Sequence, residues 1–343
     1  MTIKIPIERK NILVLGGAGF LGSHLCEHLL KRGDNVICLD NFITSDVENI
    51  KLMLEFPNFE FIRHDINEEI DFEALPELKK FKFRAQGIQE IYNLACPTAP
   101  QDFAKLPIET ALANSVGVVK SLEWAKKYQA RYLLASSSSV YGNPPEDISQ
   151  IDESYLGKVN FIGPRACYNE GKRFAETLVT TFRDYYKLDT RIARIFTSYG
   201  PRMMLMSGRH VPDFIHCALA NKPLDIHGDK QTGSSLCYVK DMVEGLVAVM
   251  KNEITQPINL GGDRYYTLKE VAELIISLTN SQSEITYESA LEFSHPQSVP
   301  DISLAKDKLN WFPLVPLEKG LTETIAFART AMVRKSTFSS PQT

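Results

Sequence analysis

Short apolar runs and amphipathic stretches alternate along the first 200 residues. "NILVLGG" is a continuous apolar run that ends on glycines and gives way to "FLGSHLCEHLLKRG", where Leu21, Leu25 and Leu29 recur at helical spacing. "NVICLD", "FEFIRHDI", "IQEIYNLA", "ARYLLASSS" and "TRIARIFTSYG" predict five further buried strands. "PIETALANSVGVVKSLEWAKKY" and "NEGKRFAETLVTTFRDYYK" between them predict helices. Such alternation specifies an α/β fold with a parallel sheet covered by helices on both faces, joined by right-handed crossovers. One segment breaks the rhythm: "EALPELKKFKFRAQG", with Lys79, Lys80, Lys82 and Arg84, reads as a solvated loop or short helix, with a phosphate contact as its functional alternative.

After Gly200 the pattern changes. "GRHVPDFIHCALANKPLDIHG" reads as helix then strand, and "YVKDMVEGLVAVMKN", "TLKEVAELIISLTN" and "PLEKGLTETIAFARTAM" read as helices among short strands and loops. This predicts that 200–334 form mainly a smaller C-terminal α/β lobe, following a first domain over 1–199. The polar tail 335–343, "KSTFSSPQT", is expected to be frayed or disordered.

Composition narrows the function classes. The net charge of −4 leaves no footprint for nucleic acid. No apolar run reaches the ~18 residues of a membrane span, and "MTIKIPIERK" has no apolar core of a signal peptide. The six cysteines are scattered without a C-x-x-C pair, which fits a reducing cytoplasmic setting better than disulfides or a zinc site. His24, His28 and His216 lie in helical segments without metal spacing, so no metal is expected and these read as structural or exposed.

Two motifs carry chemistry. "VLGGAGFLGSH" places Gly16, Gly19 and Gly22 at G-x-x-G-x-x-G spacing between a strand and a helix, the context in which such glycines bring backbone and a helix N-terminus to a pyrophosphate. Asp40 closes the second strand 24 residues after Gly16, where a carboxylate binds an adenosine ribose diol and repels a 2′-phosphate; NAD is therefore favoured over NADP. Phe20, Leu21, Asn41, Asp65, Ile66, Leu94 and Ala95 complete the expected cofactor contacts, with Asp65 a candidate adenine partner and alternatively a plain cap. The second motif is "CYNEGKR", with Tyr168 and Lys172 at i and i+4 on one helix face. A lysine ammonium beside a phenol favours the phenolate, which can take a hydroxyl proton while hydride leaves for a nicotinamide.

These motifs, with "GGAGFLGSHL", "LDNF", "NPPED", "GPRACYNEGKR", "YGPRM", "YVKDMVEGLVAVM" and "VPDISLAKDKLNWFPLVPLEKGL", resemble the extended short-chain dehydrogenase/reductases of the nucleotide-sugar epimerase/dehydratase group over about Lys10 to Thr330. Within that group the chain most resembles the UDP-glucuronate decarboxylases (UDP-xylose synthases). The resemblance implies a Rossmann domain with a sugar-nucleotide lobe, tightly held NAD, a UDP-sugar substrate oxidised at C4, and a homodimer paired through two helices per subunit. It implies catalytic roles for Ser137, Tyr168 and Lys172, and substrate contacts at Pro97, Ser138, Ser139, Arg165, Thr197, Arg202, Arg209 and Val211. It also places Leu94 to Pro97 along the cofactor and Thr98 and Pro100 near the sugar, with Asn114 as a brace.

The run "SSSSVYG" departs from part of that family. Where 4,6-dehydratases keep an Asp-Glu pair this chain has Ser138 and Ser139, which argues against dehydration. Decarboxylases keep a Glu at the position of Ser139, whereas UDP-glucuronate 4-epimerases resemble the serine run. Ser234 and Ser298 stand where relatives place basic residues, and Thr197 where they usually place Asn. Decarboxylation and 4-epimerisation therefore both remain open, beside a non-catalytic nucleotide-sugar-binding homologue that the retained Tyr168 and Lys172 oppose.

Overall fold

The computed structural model describes residues 9–143, 150–289 and 299–338. Seven strands form one sheet: β1 (Asn11–Leu15), β2 (Asn35–Asp40), β3 (Phe59–Arg63), β4 (Glu90–Asn93), β5 (Arg131–Ser137), β6 (Thr190–Ile195) and β7 (Ile258–Leu260). Their spatial order is β7-β6-β5-β4-β1-β2-β3, and every pairing is parallel. Order reverses between β1 and β4, so the loops leaving these two strands part and open a crevice at the carboxyl edge, where ligands of such sheets bind.

Both faces are covered, as the continuous apolar runs require. Ile12, Val14, Val36 and Cys38 pack into one core, and Leu13, Leu15, Ile37 and Leu39 into the other. The period of two sends neighbouring residues to opposite faces, so the central strand β1 and its neighbour β2 carry apolar residues at successive positions. Helix α1 (Phe20–Lys31) follows the glycine turn. Helices α2 (Pro107–Ala113) and α3 (Val116–Tyr128) precede β5, and α4 (Ala166–Tyr186) precedes β6. Beyond Gly200 lie α5 (His210–Leu219), α6 (Val239–Lys251) and α7 (Leu317–Phe338).

Three findings refine the sequence reading. The chain crosses the expected 199/200 boundary twice: β7 completes the sheet beside β6, and α6 buries Val239, Met242, Val243 and Leu246 in the same core as β1 and α1. A three-residue strand, "INL", is too short to show a period. The segment 72–86 takes the short-helix alternative: its helical turns leave Lys79, Lys80, Lys82 and Arg84 exposed, and bury Phe72, Leu78, Phe81 and Phe83 beneath them. Finally, α7 runs to Phe338, into the expected frayed tail, and residues 339–343 lie outside the described residues.

Candidate active site

At the switch point the glycines act through space as much as through conformation. Gly16 has φ +73°, and a Cβ there would come within 2.8 Å of Ala95 N in the loop after β4. A Cβ on Gly22 would lie 2.1 Å from Gly16 O, so α1 can sit this close to the turn only without a side chain. At Gly19, the cap of α1, a Cβ would meet nothing but Gly16 O at 3.2 Å, and this side opens on a cleft of about 3420 Å³. No side chain caps α1. Its first N–H groups and positive dipole end therefore face the cleft, a cradle that suits a pyrophosphate.

Phe20, Leu21 and Leu94 also line that cleft, whereas Asp40, Asn41, Asp65, Ile66, Ala95 and Pro97 are not part of its wall. Asp40 Oδ2 accepts from Ala18 N (3.0 Å), and Oδ1 accepts from Phe42 N (2.9 Å) and the Ser45 hydroxyl (2.7 Å). Asp65 accepts from Asn41 Nδ2 (2.9 Å) and from the backbone of Asn67 (2.8 Å), closing a turn after β3.

The first turns of α4 carry Tyr168 and Lys172, both buried. Tyr168 stacks on Phe103, with ring centroids 4.7 Å apart and planes at 24°. Lys172 Nζ lies 5.8 Å from the Tyr168 ring centroid and donates to Ala135 O (2.9 Å) at the end of β5. Ser137, the last residue of β5, caps a 3₁₀ turn over Ser138–Tyr141 by accepting from Ser139 N (3.1 Å). All four serines line the cleft, and the Ser139 hydroxyl is buried there without a hydrogen-bond partner. Asn114, buried at the end of α2, donates to Cys96 Sγ (3.1 Å) and Thr110 O (2.8 Å), and a Cβ on Gly171 of α4 would sit 3.1 Å from it. Asn114 thus spaces α4 from the loop after β4. Burial pushes the Cys96 thiol up, against the pull of Lys172.

Two guanidiniums approach this centre. Arg165 lies 5.2 Å from the Phe103 ring, and Arg209 Nη2 donates to Thr98 Oγ1 (2.6 Å). Burial lowers the pKa of both, and for both the Tyr168 phenol opposes that shift. Arg202, with φ +67°, also lines the cleft, where its guanidinium pairs with Glu27 of α1. Thr197, Val211 and Ser234 line the cleft; Ser298 lies outside the described residues. Sequence reading missed Phe103, His210, His227 and the Glu176–Arg194 pair. Glu176 had a signal, since it follows Lys172 by four residues on the same helix face. Among the described residues no cluster of three or more His, Cys, Asp or Glu suits a metal ion.

A family model described as the NAD dependent epimerase/dehydratase family matches residues 12–261. UDP-glucuronic acid decarboxylase 1 of Arabidopsis thaliana is 39% identical over 338 residues, covering 97% of this chain and 74% of the relative. UDP-glucuronic acid decarboxylase 3 of the same plant is 42% identical over 311 residues, covering 90% and 86%. Among solved structures, UDP-glucuronic acid 4-epimerase from Bacillus cereus, in complex with UDP-glucuronic acid and NAD, superposes with a TM-score of 0.80 at 27% identity, covering 94% of this chain and 99% of that one.

Proposed function

Because the chain belongs to the NAD dependent epimerase/dehydratase family, we propose that its cleft oxidises C4 of a UDP-linked uronic acid, in the manner of a UDP-glucuronate decarboxylase. The observation that carries this reading is the joint placement of Tyr168, Lys172 and the Ser137–Ser139 hydroxyls in one buried cleft that also receives the glycine turn. NAD, when bound, supplies a hydride acceptor for C4 and returns the hydride later. The backbone of Gly16, Gly19 and Phe20 would hold its pyrophosphate. Asp40 would hold the ribose, whose hydroxyls would compete with Ser45 for Oδ1. Neither group carries out chemistry.

The proton is the protein's task. Ser137 hydrogen-bonds the substrate's 4-oxygen, and Tyr168 as phenolate removes its proton. Lys172, with Nζ 5.8 Å from the Tyr168 ring centroid, places a positive charge beside that transfer. The resulting 4-ketone makes the uronic acid a β-keto acid. Its carboxylate leaves as CO2 when the C5–carboxylate bond stands perpendicular to the carbonyl plane, and C5 then takes a proton. Arg165 and Arg209, both partly desolvated and near Tyr168, are placed to hold an anionic group of the sugar acid.

One observation favours 4-epimerisation as a second reading. The buried, unpartnered Ser139 hydroxyl stands where a decarboxylase keeps an acid. A neutral donor there binds the substrate carboxylate and holds it out of the perpendicular geometry while the ketone takes hydride on its other face. Purified protein with NAD and UDP-glucuronate, followed by mass spectrometry, separates the outcomes. Loss of the mass of CO2 reports decarboxylation, and a new isomer of unchanged mass reports epimerisation. Neither product, with no NADH formed, rejects both.

We further propose a cytoplasmic homodimer. All six thiols are free, in keeping with a reducing compartment, and no described helix is long and apolar enough to cross a membrane. Exposed Ile108, Leu112, Val116 and Phe174 on α2, α3 and α4 offer an apolar surface for a second copy.

A further inference from the structure

The serine-bearing end of β5 is held in an unusual way. Pairing with β4 stops at Leu134, so Ala135, Ser136 and Ser137 are laddered only on the β6 side, to Ala193, Arg194 and Ile195. Helix α4 takes over on consecutive residues. Lys172 Nζ bonds Ala135 O (2.9 Å), and one turn further along Glu176 Oε1 accepts the Ser136 hydroxyl (2.6 Å). Arg194, the cross-strand partner of Ser136, lies along the same carboxylate: Nε reaches Oε1 (3.0 Å) and Nη2 reaches Oε2 (2.8 Å). Its remaining nitrogen, Nη1, bonds the Tyr141 hydroxyl (2.9 Å) and Glu153 O (3.1 Å), and Tyr141 donates to Asn259 of β7 (2.7 Å).

We propose that Glu176, held by Arg194, is a positioning residue that sets the direction of the Ser137 hydroxyl toward Tyr168 by gripping Ser136. Successive side chains of a strand point to opposite faces, so anchoring Ser136 to α4 holds the backbone pleat that sets where Ser137 projects, while Ser139 N holds the Ser137 oxygen itself (3.1 Å). Ser137 keeps extended geometry, with φ −143° and ψ 152°, which carries the constraint across the peptide. Ser136 lines the cleft, whereas the polar atoms of Glu176 and Arg194 are taken up by each other, by Ser136, by Tyr141 and by Glu153 O, so they act through the serine. A bidentate guanidinium suits this task because it holds the carboxylate plane as well as its charge. Plain core packing would require neither the Ser136 hydroxyl nor the carboxylate on α4.

The inference rests on the reading of Ser137 and Tyr168 as the C4-oxidation pair. It is tested in the NAD-loaded full chain by single-turnover reduction of bound NAD with UDP-glucuronate, alongside binding affinity for that sugar nucleotide and thermal melts. Ser136→Ala and Glu176→Gln should slow reduction by roughly 10- to 100-fold, the scale expected when a reacting group is mis-set from a distance. Affinity should stay within about twofold, as remote positioning acts on the chemical step rather than on uniform binding. Ser136→Thr, which restores the hydroxyl, should recover most of the rate. With C4-deuterated substrate, the isotope effect on Ser136→Ala should grow as hydride transfer becomes limiting. If Glu176→Gln does not fold, Ser136→Ala and Ser136→Thr still decide the matter. A Ser136→Ala rate equal to wild type, or one that Thr does not restore, overturns the proposal. Absence of reduction in the wild type overturns the C4-oxidation reading itself, and this inference with it.

Discussion

A single imidazole shows how burial in the cleft becomes a pH response. His24 on α1 sits against Pro201 O (2.9 Å), and burial, with Arg202 nearby, pushes its pKa down to about 4. His210 is likewise pushed to about 4 by burial, with His227 adding to the shift. In the unfolded chain both would titrate near 6.5. Between about 6.5 and 4 the unfolded state therefore binds protons that the folded state refuses, and stability must fall as pH falls. Glu27 extends the trend downward. Burial alone would raise its pKa, but Lys31 and Arg202 outweigh that and hold it at about 2. Its contribution is complete above the ordinary value of 4.5 and lost as pH drops through about 2. Thermal melts should show this decline, and His24→Gln should flatten it in the upper window only; an unchanged slope would refute the assignment. At this scale the sequence was partly legible. Tyr168 and Lys172 share a face because helical spacing is local. The Arg202–Glu27 pair was not legible, because its two members lie 175 residues apart.

At the scale of elements, α1 and the turn before it behave as one part. Gly22→Ala places a methyl group 2.1 Å from Gly16 O and 2.8 Å from Gly17 Cα, both backbone atoms that cannot rotate away. The helix must lift from the turn. The expected cost is about 1–3 kcal/mol in urea unfolding, with a loss of NAD affinity in a fluorescence titration. An alanine variant that keeps both would show that the turn is looser than drawn. Strands such as β1 and β2 were readable because each is a nearly continuous apolar run buried on both faces, whereas the three residues of β7 were not. The helical turns over 72–86 were harder, because their alternating Phe and Lys positions resemble a solvated segment until Phe72, Leu78, Phe81 and Phe83 are seen packed beneath. Glu176 illustrates the same limit: spacing marks its helix face, but only the fold brings Arg194 and Ser136 to it.

For the whole molecule, the apolar positions left on α2, α3 and α4 bear on assembly. Ile108 is 67% exposed and Phe174 50%. Ile108→Asp should give a species of half the mass in light scattering, with the far-UV spectrum retained. A wild-type protein that is already monomeric would defeat the homodimer reading. The return of the chain to the sheet at β7 has a further consequence, this one for biosynthesis. Until Ile258–Leu260 has left the ribosome, β6 is a bare parallel edge, and bare edges recruit foreign strands. The seven-stranded sheet is therefore not complete when the first 199 residues have emerged. Its last edge is closed only after most of the lobe has been synthesised, so β6 stays open to strand addition during that interval.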